Sequence, residues 1–83
     1  MRIRIKLYAA LGKYLPASAV KNEADIEMVE GATPNIALSS MSVPLEQCHL
    51  VLINGLFAPP IERATRTLVD GDHLAAWPPV AGG

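Results

Sequence analysis

Residues 2–8, Arg2-Ile3-Arg4-Ile5-Lys6-Leu7-Tyr8, alternate without a break, and a chain that opens this way is committed to a sheet with one buried face. Ile3, Ile5 and Leu7 fall on one side of such a strand, and Arg2, Arg4, Lys6 and Tyr8 on the other. A weaker alternation runs from Ala24 to Val29, with Ala24, Ile26 and Met28 inward and Asp25 and Glu27 outward, and is broken by Glu30-Gly31. Between the two, Leu11, Tyr14 and Leu15 share a helical face that Pro16 halts.

Thr33-Pro34 reads as an N-cap followed by a proline at the first helical position. Pro34, Ala37, Leu38 and Met41 then recur at helical spacing, which predicts a short helix over 34–41 that ends before Pro44. His49 to Ile53 has the length and apolarity of a strand, and Asn54-Gly55 is a two-residue hairpin turn into Leu56-Phe57. Pro59-Pro60 keeps that second arm short. Residues 61–68 read as a loop with room for one helical turn. Asp70-Gly71-Asp72 is a turn, and His73 to Trp77 is the last strand, with Leu74 and Ala76 inward and His73, Ala75 and Trp77 outward. This order of elements predicts an α+β fold, a small mixed sheet covered on one face by the helix. The bare face would gather Arg2, Arg4, Lys6, Tyr8 and Trp77.

With 83 residues, 51% of them hydrophobic and 18% charged, the chain is expected to form one small globular domain and no second one. No apolar run approaches the roughly 20 residues of a membrane span. The opening strand also lacks the apolar core of a signal peptide. The one cysteine, Cys48, permits no internal disulfide and suits a reducing compartment, so a cytoplasmic location is expected. Cys48 itself reads as a small buried or half-buried residue. A formal charge of −1 gives no reason to expect nucleic acid, and no membrane partner is expected either.

The domain offers little chemistry of its own. His49 and His73 lack companions at metal-ligand spacing and read as surface or edge-strand residues, so neither a bound metal nor a bound cofactor is expected. Glu62, Arg63 and Arg66 read as solvated charge, with rim contacts to a partner as the alternative. Arg2, Arg4 and Lys6 either meet an acidic partner or blunt the sheet face. The chemistry is concentrated in Trp77-Pro78-Pro79-Val80-Ala81-Gly82-Gly83. Two prolines favour an extended arm, and two glycines let main chain pass where no side chain fits. The plainer reading is a frayed end.

These residues resemble the ubiquitin-like sulfur carriers, and within them the small subunit of molybdopterin synthase. The likeness rests on the opening strand with Leu7-Tyr8-Ala9, on Glu30-Gly31-Ala32-Thr33 ahead of the helix, and on Val51-Leu52-Ile53-Asn54-Gly55. It continues through Asp70-Gly71-Asp72 and the Pro-Pro-Val-Ala-Gly-Gly tail. The resemblance implies a β-grasp domain over residues 1–77, with first and last strands parallel and adjacent, and a tail over 78–83. It implies that an E1-like enzyme uses ATP to adenylate Gly83, and that sulfur from a persulfide protein or sulfide leaves a C-terminal thiocarboxylate. Gly82 would give close approach in the partner's channel. Tyr8, Phe57, Trp77, Pro78, Pro79, Val80 and Ala81 would contact the activating enzyme and an acceptor such as the molybdopterin synthase large subunit. A carrier for thiazole, cysteine or another thio-metabolite uses the same tail. A protein modifier conjugated through Gly83 and an inert β-grasp interaction module are the other readings.

Overall fold

The computed structural model describes residues 1–79; Val80, Ala81, Gly82 and Gly83 lie outside the described residues. Five strands form one mixed sheet: β1 (Arg2–Leu7), β2 (Glu23–Glu27), β3 (Leu50–Ile53), β4 (Leu56–Phe57) and β5 (His73–Trp77), in the order β2-β1-β5-β3-β4. β1 and β5 are parallel, and the other neighbours are antiparallel. This is the β-grasp fold. Two short helices, α1 (Pro34–Ser40) and α2 (Pro60–Thr65), and two 3₁₀ segments, Ala9–Tyr14 and Leu45–Gln47, complete it.

The alternation in β1 carries through to the core, because Ile3, Ile5 and Leu7 are all fully buried. Register turns that alternation into rows across the sheet. Ala24, Ile5, Leu74 and Ile53 lie side by side in one row, and Leu7, Ala76 and Val51 in the next. Over these rows α1 lays Pro34, Ala37 and Leu38. Its start follows the expected chemistry: the Thr33 hydroxyl accepts from the Ile36 N–H at 3.3 Å, with Pro34 in the first turn.

Several boundaries move. The first strand ends at Leu7, so Tyr8 lies just outside it as the residue preceding the 3₁₀ segment. β2 stops at Glu27, which leaves Met28 packed against the rim of the core. Residues 60–65, expected mainly as loop, form α2; Pro60 in its first turn has no N–H to leave unsatisfied.

The Asp-Gly-Asp and Asn-Gly turns prove to be one welded unit. Asp72 is 8% exposed, and its carboxylate accepts from Asn54 Nδ2 at 2.9 Å and from the Val69 N–H at 2.8 Å. Asn54 Oδ1 in turn accepts from the His73 N–H at 2.9 Å. Asn54 and Gly55 both have positive φ, 51° and 82°, as a twist-matched two-residue hairpin requires. The weld therefore sets where β5 begins relative to β3, and so fixes which residue is last in the sheet.

Leu74 sits between Ile5 and Ile53 with no exposed surface, and its truncation tests the row. Leu74→Ala is expected to lower the unfolding free energy by about 2–5 kcal/mol in urea titration. A loss under about 1 kcal/mol would mean that the row is not packed as described.

Candidate functional site

The site is the end of the sheet from which the chain leaves β5. Because β1 and β5 run parallel, Leu7 pairs with Ala76 and both strands finish together. The Tyr8 N–H donates to the Ala76 carbonyl at 3.1 Å, and the His49 N–H to the Trp77 carbonyl at 2.9 Å. Trp77, paired with Leu50 across the antiparallel ladder, is thus the last residue held by the sheet. Pro78 and Pro79 follow, half-buried and exposed respectively.

Tyr8 and Trp77 stack face to face, ring centroids 4.3 Å apart and planes 7° from parallel, on the bare side of the sheet. Alternation along β5 put Trp77 on that side, and the parallel pairing delivers Tyr8 beside it. The corner that does so is strained, since Ala9 has φ +50° without being glycine. Phe57, grouped in the sequence reading with these two, stands apart on β4. There Arg63 lies over its ring at 5.8 Å, and β3 separates it from β5.

Next to the stack lies a shallow depression of about 460 Å³, lined by Lys6, Tyr8, Leu52, Asn54, Gly55, Gly71, His73, Ala75 and Trp77. One register row forms its floor: Lys6, Ala75 and Leu52, with Phe57 beyond. The other half of the bare face is occupied by ion pairs between β1 and β2. Arg2 meets Glu27 at 3.1 Å, Arg4 meets Asp25 at 2.9 Å, and Lys6 reaches Glu23 at 3.9 Å. The hydrogen bond from Arg4 holds the Asp25 carboxyl below its ordinary range. Its stabilising effect is present above the carboxyl's unfolded value and is lost as pH falls through the lowered folded one. Exposed pairs of this kind add little stability. Their consequence is spatial: the free face divides into a charge-paired half and a half of mixed polar and apolar lining that ends at Trp77.

His49 and His73 are exposed, as expected. No group of acidic, histidine and cysteine side chains able to hold a metal is found among the described residues. Cys48 is buried, and desolvation raises its thiol pKa, more than the nearby Arg63 lowers it, which makes it a poor nucleophile. Arg63 corrects the sequence reading. Instead of solvated charge, it is a half-buried side chain bonded to the Ala58, Cys48 and His49 carbonyls at 2.8, 3.0 and 3.3 Å. No linear pattern marks this role, because its three acceptors are backbone atoms. Of the residues expected to act, Tyr8, Trp77 and Pro78 are gathered at the strand end. Val80, Ala81, Gly82 and Gly83 lie outside the described residues.

Trp77 is the chain's single tryptophan, so its fluorescence reports the stack directly. Tyr8→Ala is expected to shift its emission to longer wavelength and to cost about 1 kcal/mol beyond lost area, the usual worth of an aromatic pair. An unchanged spectrum would contradict the stacked geometry.

Comparison with known proteins agrees with this geometry. The chain is similar over 100% of both chains to the crystal structure of SAMP1 from Haloferax volcanii, at 26% identity and a TM-score of 0.67. A putative molybdopterin converting factor subunit 1 from Pyrococcus furiosus is 20% identical, with a TM-score of 0.63 over 95% of this chain and 98% of that one. The complex of subunits 1 and 2 of the molybdopterin-converting factor from Helicobacter pylori contains a chain 17% identical, with a TM-score of 0.59 and full coverage of both. At these last two identities the likeness is one of fold. No curated protein matches the chain. No described helix is long and apolar enough to cross a membrane. The Mut7-C ubiquitin family model matches residues 1–82, and the chain belongs to that family, with the β-grasp fold of a ubiquitin-like protein.

Proposed function

We propose that the chain is a cytoplasmic sulfur carrier and that its reactive atom is the C-terminal carbonyl carbon of Gly83. The observation that carries this reading is the strand end: the sheet's last fixed residue, Trp77, is followed by Pro-Pro-Val-Ala-Gly-Gly. A carboxylate resists nucleophiles because of its charge and resonance, so it must first be activated. An E1-like partner would transfer AMP from ATP to the Gly83 carboxylate and release pyrophosphate. Sulfide, or the terminal sulfur of a persulfide followed by thiol reduction, would then displace AMP and leave a thiocarboxylate.

In this scheme the domain catalyses nothing. It would supply a grip, the half of the bare face that holds Tyr8 and Trp77, and a leader, Pro78 to Gly82. Aromatic anchors near the reactive end are what a compact interface relies on. The acceptor we favour is a molybdopterin synthase large subunit, supported by the fold shared with the Helicobacter pylori subunit that is seen in complex with its partner. Conjugation of Gly83 to lysine is the second reading, and the likeness to SAMP1 over the whole chain keeps it in view. Both share the adenylation step and diverge at the nucleophile.

Incubation with ATP, the activating enzyme and sulfide is expected to raise the intact mass by the difference between one sulfur and one oxygen. Deleting Gly83 should abolish the gain while leaving the circular dichroism spectrum unchanged. Gly82→Val should block transfer from preloaded carrier, because a β-branched side chain widens and stiffens the thinnest part of the tail. Sulfur loading of the truncated chain would refute the assignment to Gly83, and full turnover with valine at 82 would refute the narrow channel.

A further inference from the structure

Arg63 has a use that the fold alone does not require. It lies on α2, a helix with no buried residue, and among the described residues no carboxylate is within ion-pair distance of it. All three of its hydrogen bonds go to backbone carbonyls, and a guanidinium holds such acceptors in a fixed fork.

One of those acceptors leads to the tail. The Cys48 carbonyl, which accepts from Arg63 Nη1 at 3.0 Å, and the His49 N–H are the two ends of a single peptide group. That His49 N–H donates to the Trp77 carbonyl at 2.9 Å. A cationic donor on the oxygen of a peptide polarises the whole group and makes its N–H a stronger donor. The Trp77 carbonyl belongs to the peptide that joins Trp77 to Pro78. Proline has no N–H, so this carbonyl is the only hydrogen-bonding group the linking peptide possesses. Its plane, and with it the direction in which the chain leaves the sheet, is held by the His49 N–H together with the ladder pairing of Trp77 with Leu50, and the first of these is backed by Arg63.

We infer that Arg63 is a positioning residue for the tail, acting through the Cys48–His49 peptide on the Trp77–Pro78 peptide; its bearing on sulfur loading rests on the function proposed above. A lysine at 63 keeps the charge but can neither fork nor reach three carbonyls at once. A methionine keeps the apolar bulk and removes every donor.

The test uses the full isotope-labelled chain as the parent, Arg63→Lys and Arg63→Met. The scalar coupling through the hydrogen bond between His49 nitrogen and Trp77 carbonyl carbon is expected in the parent, reduced in Arg63→Lys and lost in Arg63→Met. Amide exchange at His49 should quicken about tenfold or more in Arg63→Met, the scale of one charge-assisted bond, while Ile5 and Val51 exchange as in the parent. In sulfur loading, Arg63→Met should raise the KM for the carrier about tenfold on the same scale and leave kcat within about twofold. An undiminished coupling overturns the proposal, as does exchange that quickens equally at His49, Ile5 and Val51, which would make Arg63 a general stabiliser. An unchanged KM with the coupling lost would overturn the link to loading. A parent chain that takes up no sulfur at all would defeat the sulfur-carrier reading instead, and the coupling and exchange results would still decide the role of Arg63.

Discussion

The parallel pairing of β1 with β5 is the constraint on which the rest depends. It joins residues some seventy positions apart, Arg4 to His73 and Leu7 to Ala76, and no local interaction can replace it. With β5 inserted between β1 and β3, the last strand becomes the centre of the sheet, and its end is held from both sides. A chain that leaves a central strand starts from a rigid base. The welded turns at Asp72 and Asn54 fix the start of β5, and the bonds from Tyr8 and His49 fix its finish. These features together place Trp77, and no neighbouring residue, at the root of the tail.

The division of the bare face follows from the same pairing. β1 can neutralise its outward cations only against β2, its other neighbour, where Glu23, Asp25 and Glu27 stand opposite. β5 brings Ala75 and Trp77, and β3 brings Leu50 and Leu52, so the half nearer the tail carries little charge. Charge on one half limits unwanted sheet association, while the other half is left free to pack against a partner. Sulfur chemistry at a C-terminal carboxylate requires both a rigid base and a leader thin enough to enter another enzyme's site. In the function proposed above, the domain would provide the first and the tail sequence the second.

Much of this was legible in the sequence because period-two patterns report faces faithfully. The alternation of residues 2–8 and 73–77 put Ile3, Ile5, Leu7, Leu74 and Ala76 inward as the structure has them. Ala75, expected outward, is buried, because so small a side chain is covered by Lys6 and Leu52 beside it in the sheet. Thr33-Pro34 and Asn54-Gly55 marked a helix start and a hairpin by local chemistry alone. Tyr8 and Trp77 met as expected once the two strands were parallel, though that adjacency came from family likeness and not from the pattern. What the pattern missed is what local patterns cannot encode. Arg63 looks like any surface cation because its partners are backbone carbonyls, two of them fourteen and fifteen positions away in sequence. The Asp72–Asn54 weld links two turns that each look self-sufficient, and residues 60–65 fold as a helix where the pattern left a loop with room for one helical turn.

The central claim is that sulfur is carried at Gly83, and the most direct measurement is made on the chain isolated from its own cells. Fragmentation of the intact protein by mass spectrometry, without prior digestion, locates any modification along the backbone. The account predicts a population in which one oxygen is exchanged for sulfur, with the change confined to fragments that contain Gly83. Sulfur found on Cys48 with an unmodified C-terminus, or a tail recovered only as an isopeptide to lysine, would contradict it.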